Sequence, residues 1–171
     1  MDVAVLTISD RSARGEREDR SGPELKKRLE IQGWHLVHAR GIADDREEIE
    51  RVLREWSDSQ GVDLILTTGG TGFSLRDQTP EATLAVVDRL APGIAEAMRA
   101  YSMKLTPHAM LSRAAAGIRG KTLIVNLPGS PRAAIENLEV IMPALPHAIE
   151  VLKGSTDSEA GHHFPGPPLQ A

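Results

Sequence analysis

Residues 63–81 read DLILTTGGTGFSLRDQTPE, and the rest of the chain arranges itself around this stretch. It begins with a short apolar run, Leu64, Ile65 and Leu66, backed by Thr67 and Thr68. So short a run, stopped by glycine, suits a buried strand better than a helix. Gly69, Gly70, Thr71 and Gly72 come next, and Thr79-Pro80-Glu81 then opens a helix. Thr79 is the expected cap, Pro80 suits the first helical position, and Glu81 favours the positive end of the helix dipole. Strand, glycine turn, loop, helix start is the geometry of an anion site. Glycine accepts positive φ and lets N–H groups approach a ligand; a turn of such groups binds an anion without lysine. GGTG is neither the P-loop pattern nor the dinucleotide fingerprint, and a glycine pair can also leave a sheet edge with no ligand at all. Asp77, between the turn and the helix, favours the functional reading, because a carboxylate beside an anion-binding turn makes sense when a cation joins the two.

Working outward, residues 3–8 (VAVLTI) form a second apolar, β-branched run, as expected of a strand buried on both faces of a parallel sheet. A polar loop succeeds it, long enough to suggest function, and Ser21 to Glu24 start a helix with Leu25, Leu29 and Ile31 on its expected inner face and Gly33 as its stop. A weaker strand spans residues 35–40. Asp44 or Asp45 then caps a helix whose Ile49, Val52, Leu53 and Trp56 recur at helical spacing. Beyond the central stretch come a helix over residues 94–103, a break at Thr106-Pro107, a short strand within 114–118, a strand over 122–127 and a closing amphipathic helix interrupted near Pro143 and Pro146. Residues 155–171 lose periodicity and are expected to be a flexible tail to a 1–154 domain. Alternating strands and helices imply a three-layer α/β/α fold with a mostly parallel sheet. Ligands in such folds bind beyond the carboxyl ends of the strands, which directs attention to Ser9, Asp10, Asp44, the GGTG turn with Asp77, and Pro128-Gly129-Ser130.

Composition narrows the function. With 20 basic and 24 acidic residues the net charge is -4, and the basic footprint of a nucleic-acid binder is missing. A phosphorylated small ligand remains compatible, held by backbone donors, a few local side chains and a divalent cation. The chain has no cysteine, which rules out disulfides, cysteine-bound zinc and a thiol nucleophile and agrees with a cytoplasmic location. The beginning MDVAVLTISD carries an acid at position 2 and no basic region before its apolar run, so no signal peptide is expected. No apolar run approaches the roughly 20 residues of a membrane span. Met98, Met103 and Met110 are expected to pack; His108, His162 and His163 are not expected to bind metal.

The strand-end motifs, taken together, resemble the molybdopterin adenylyltransferases of molybdenum cofactor biosynthesis, of the MogA and gephyrin G-domain type. The matching segments are TISDRSARGEREDRSGPEL, LILTTGGTGFSLRDQTPEAT, PHAMLSRAAAGIRGKTLIVNLPGSP and the closing helix, covering residues 1 to about 154. Gln78 departs from the valine usual in that family. The resemblance implies one reaction, adenylylation of the terminal phosphate of molybdopterin by Mg-ATP with release of pyrophosphate, and a homotrimer with a possible molybdenum insertase partner. It implies Asp44 and Asp77 as catalytic carboxylates and Mg2+ ligands. It further implies Ser9, Asp10, Gly69, Gly70, Thr71, Gly72, Ser112, Arg113, Pro128, Gly129 and Ser130 as the substrate pocket. Simpler roles stand beside these: Asp44 and Ser130 as helix caps, Asp10 as acceptor for loop N–H groups, Ser112-Arg113 as a surface turn. A MoaB-like protein that binds molybdopterin without turnover is the alternative function, and the related domain of competence-damage proteins a more distant one. The mixed apolar and small residues over 101–116 are the expected subunit interface.

Overall fold

The strands alternate with helices as their residue types dictate, and the computed structural model describes residues 1–154. The expected tail, with His162 and His163, lies outside the described residues. In chain order the elements are β1 (Asp2–Ile8), α1 (Asp10–Ala13), α2 (Ser21–Ile31), β2 (His35–Ile42), α3 (Arg46–Asp58), β3 (Leu64–Thr68) and α4 (Thr79–Val86). Then come β4 (Arg89–Leu90), α5 (Pro92–Met103), a 3-10 turn (Pro107–Leu111), β5 (Ala116–Arg119), β6 (Thr122–Leu127), α6 (Pro131–Ile141) and α7 (Leu145–Lys153).

One six-stranded sheet runs in the order β2-β1-β3-β6-β5-β4. β2, β1, β3 and β6 are mutually parallel, while β5 runs antiparallel to β6 and β4 antiparallel to β5. The chain steps from β1 outward to β2, then returns past β1 to β3, so the strand order reverses between β1 and β3. In an open α/β sheet that reversal leaves a crevice at the carboxyl ends of the two strands, because the connections leaving them diverge to opposite faces.

Alternation along the strands separates two cores. Val3, Val5, Leu64, Leu66, Leu123 and Val125 face α2, α5, α6 and α7. Ala4, Leu6, Ile8, Ile65 and Ile124 face α3 and α4. Strands buried on both faces explain why they read as continuous apolar runs. On α3, Ile49, Val52, Leu53 and Trp56 are all buried, each burial favouring the fold by about 1.5–3 kcal/mol.

Several local expectations are corrected. Ile31 is exposed, since α2 ends there and only Leu25 and Leu29 turn inward. Met98 packs in the core, but Met103 and Met110 are exposed. The loop after β1 contains the one-turn helix α1, capped by Ser9. β4 is a two-residue strand that carries no apolar run. The break near Pro143 and Pro146 is present, separating α6 from α7.

Candidate active site

The crevice is built by the turns that leave the parallel strands. A cleft of about 400 Å³ opens there, lined by Ser9 after β1, Asp44 after β2, Gly69 and Gly70 after β3, and Gly129 and Ser130 after β6, with Asp77 on its rim. The glycine turn is made possible by backbone geometry. Gly69 and Gly70 both hold positive φ, at 106° and 62°. A Cβ on Gly69 would overlap the Ile8 carbonyl oxygen, and one on Gly70 would overlap the Thr79 hydroxyl and sit 2.9 Å from Asp44 Oδ1. Only a residue without a side chain lets β3 leave the sheet so close to β1. Gly129 closes in from the other side, less tightly, where a Cβ would lie 3.2 Å from Gly69 Cα. The two turns are also bonded: the Gly69 N–H donates to the Leu127 carbonyl at 3.3 Å, and the Thr68 hydroxyl to the Pro128 carbonyl at 2.7 Å.

The carboxylates are held in a defined array. The Asp10 N–H donates to Asp44 Oδ2 at 2.8 Å, and the Asp44 N–H donates back to Asp10 Oδ1 at 3.1 Å. Asp45, not Asp44, caps α3, its side chain accepting the Glu48 N–H at 2.9 Å. Asp44 is therefore released from the simpler role open to it. Burial pushes the Asp44 carboxyl above its usual range, and the neighbouring Asp10 and Asp77 charges push the same way against the Asp10 N–H. Asp10 moves in the opposite direction, lowered chiefly by its hydrogen bonds from Arg76. Asp77 accepts the Ser74 N–H at 3.1 Å and lies beside Gly72.

The remaining expected site residues divide. Thr71, Gly72, Ser112 and Pro128 line a second, more apolar cleft of about 310 Å³ on the far side of the turn, together with Leu105, Ala109 and Leu111. Arg113 lies in neither cleft. Its Nε donates to the Gly72 carbonyl at 2.6 Å, its Nη2 to the Asp77 carbonyl at 2.6 Å, and its Nη1 pairs with Glu81. The guanidinium thus ties the glycine turn, the loop and the start of α4 together. Ser130 occupies the cap position of α6 without a capping bond from its side chain. Thr79 does not cap α4: Gln78 holds the cap position, and the Thr79 hydroxyl is buried without a partner.

Could a hard cation fit here? Asp44 Oδ1 and the Thr79 hydroxyl lie beside Gly70 and Asp77 Oδ2 beside Gly72, and burial together with neighbouring negative charge disfavours the ionised form of Asp44. The unpartnered Thr79 hydroxyl lies under the same turn. Among the described residues no three acidic or imidazole groups converge as a complete metal cage. That donor set suits Mg2+, which takes one or two carboxylates and completes its shell with water and substrate phosphates.

Sequence reasoning missed several groups. Thr7, Thr68, Asp19, Ser21 and the exposed Arg17 and Arg20 also border the first cleft. Asp19 anchors the start of α2 by accepting the Gly22 N–H at 3.0 Å. The signal available was the density of polar residues in the 9–20 loop, ending in an Asp three residues before a helical glycine.

An α/β domain with a mostly parallel sheet, whose switch-point cleft combines a glycine turn with clustered carboxylates, has the general form of an α/β ligand-binding domain. Comparison with known proteins makes this specific. A family model described as a probable molybdopterin binding domain matches residues 4–147, and the chain belongs to that family. It is 43% identical over 158 residues to the molybdopterin adenylyltransferase of Helicobacter pylori J99, covering 90% of this chain and 88% of that protein. It is likewise 43% identical to gephyrin of Dictyostelium discoideum, over 91% of this chain and 23% of that one. The solved structure of the molybdopterin biosynthesis enzyme MoaB from Thermus thermophilus superposes with a TM-score of 0.85 at 47% identity, covering 90% of this chain and 97% of that one.

Proposed function

We propose that this chain is a molybdopterin adenylyltransferase of molybdenum cofactor biosynthesis. The observation that carries the reading is that Asp44 and Asp77 border one open cleft together with the Gly69-Gly70 turn. Relatives named for this activity share about 40% of its residues over most of its length.

In the reaction, a terminal phosphate oxygen of molybdopterin attacks the α-phosphorus of ATP. A new P–O bond forms, the bond to the bridging oxygen of the β-phosphate breaks, and pyrophosphate leaves with the electron pair. Bringing two polyanions together demands alignment and charge neutralisation more than a protein nucleophile. The cleft at Ser9, Asp44, Gly69, Gly70, Gly129 and Ser130 holds the phosphates on main-chain donors, including those at the start of α6. Asp44 and Asp77 would hold Mg2+, which when bound neutralises phosphate charge. Thr71, Gly72, Ser112 and Pro128 provide the more apolar neighbouring cleft for the second substrate. Arg113 sets the turn that separates the two.

Residues 1–154 act as one domain in this reading. The chain assembles as a homotrimer through the segment that exposes Tyr101, Met103 and Met110, since a group of exposed apolar side chains favours a covered surface. It works in the cytoplasm and hands its product to a molybdenum insertase. Among the described residues no helix is long and apolar enough to cross a membrane.

The test is pyrophosphate release measured with Mg-ATP in the presence and absence of molybdopterin. Release that requires molybdopterin supports the adenylyltransferase. Tight molybdopterin binding with no release identifies the non-catalytic binding protein instead, and hydrolysis of ATP indifferent to molybdopterin contradicts both.

A further inference from the structure

The loop over residues 73–78 carries Asp77, yet little packing holds it. Phe73 is 68% exposed and Leu75 95% exposed, so neither apolar side chain anchors the segment. Its far end is fixed by Arg113 and by the Thr79 N–H donating to the Gly70 carbonyl at 3.1 Å. Its crest is fixed by one residue. Arg76 Nε donates to Asp10 Oδ2 at 2.9 Å and Arg76 Nη2 to Asp10 Oδ1 at 3.0 Å. Among the described residues this fork is the side-chain bond that carries residues 73–76 beyond their own loop.

Its partner is not an arbitrary surface acid. Asp10 Oδ1 also accepts the Asp44 N–H, and the Asp10 N–H is bound to Asp44 Oδ2. The Arg76 fork therefore joins the loop after β3 to the paired turns after β1 and β2. Arg76 adjoins Asp77 in sequence, and Asp10 clamps Asp44 in space. A fork of two parallel N–H bonds fixes orientation as well as distance, which a lysine cannot do.

We propose that Arg76 and Asp10 form a latch that positions Asp77 against Asp44, so that both are positioning residues for the reaction and neither binds substrate. This inference rests on the function proposed above and deepens it. An exposed ion pair adds little to global stability, so a latch of this kind is expected to act on turnover and loop order while leaving the fold intact.

The experiment compares the unsubstituted protein with Arg76→Gln, Asp10→Asn, the double variant and Arg76→Lys. Asp10→Asn keeps an oxygen for the Asp44 N–H and removes the fork. Each single change is expected to speed amide exchange in residues 73–78 and to lower kcat by about 10- to 100-fold, the scale of slight misplacement of reacting groups. KM for Mg-ATP stays within about twofold, since no ligand contact is lost. The double variant is no worse than the poorer single variant, and Arg76→Lys recovers only part of kcat. Three results overturn the latch: unchanged exchange, unchanged kcat, or a rise in KM for Arg76→Gln that Asp10→Asn does not share, which marks Arg76 as a substrate ligand. Failure of the unsubstituted protein to make adenylylated product counts against the proposed function, whereas the exchange measurement decides the latch without any turnover.

Discussion

Gly70 shows how narrowly the site is built. Its φ of 62° disfavours any side chain, and an added methyl would meet both Thr79 and Asp44. Gly70→Ala is expected to destabilise the fold by about 1–3 kcal/mol, the usual cost of holding a non-glycine residue in such a conformation, measurable as a lower urea midpoint. Asp44 carries a different kind of cost. Its carboxyl is raised by burial and by like charge, so folding makes it harder to ionise. For an acid raised in the folded state, the penalty is present at pH above the folded value and fades as pH falls through it. Asp44→Asn is therefore expected to raise stability slightly near neutral pH, the gain being reduced by solvent screening at this half-buried position. The gain vanishes in acid, where Asp44 is itself protonated, and activity is lost at every pH. Asp10 has the opposite sign. Its carboxyl is lowered by Arg76, so the stability it contributes is present above the ordinary carboxylate range and lost as pH falls through the folded value. Thermal unfolding across pH, with and without each substitution, separates the two.

Between the elements, polar groups do the joining that apolar packing cannot. Asn126 on β6 is fully buried, donates to the hydroxyls of Thr67 and Thr83, and accepts the Ala115 N–H. It ties β6 to β3, to α4 and to the segment entering β5. Asn126→Ala leaves those partners unpaired in the interior and is expected to cost about 2–4 kcal/mol, read from chemical denaturation. Elements of this kind are unevenly legible from residues alone. β1, β3 and β6 are plain because strands buried on both faces write themselves as unbroken apolar runs. α3 is plain from its helical spacing of Ile49, Val52, Leu53 and Trp56. β4 is not, because two exposed residues held by β5 leave no pattern. Ile31 is misplaced by its spacing because periodicity does not say where a helix stops facing the core. In the site, the turns that follow the strands can be picked out, but not Thr7 and Thr68 at the strand ends, the division into two clefts or the inward turn of Arg113. Arg76 cannot be seen as a partner of Asp10, because 66 residues separate them and nothing local pairs the two.

At the scale of the whole molecule, the topology sets two clefts beside one glycine turn. The reversal between β1 and β3 opens the polar cleft, and α5, the 3-10 turn and α6 frame the more apolar one beside the same glycine turn. The exposed apolar face around Tyr101 and Met110 lies close in sequence to Leu105, Ala109 and Leu111 of that second cleft, so assembly and binding are expected to be linked. Met110→Glu is expected to shift the sedimentation coefficient toward a smaller species and to weaken molybdopterin binding together. The most direct measurement is mass spectrometry of the product formed from Mg-ATP and molybdopterin with the unsubstituted protein and with Asp77→Ala. The expected result is adenylylated molybdopterin from the first and a rate of formation lower by about 100-fold or more from the second, the scale of losing a charge-stabilising group at a phosphoryl centre. Equal rates of product formation from both proteins would contradict the assignment of this cleft.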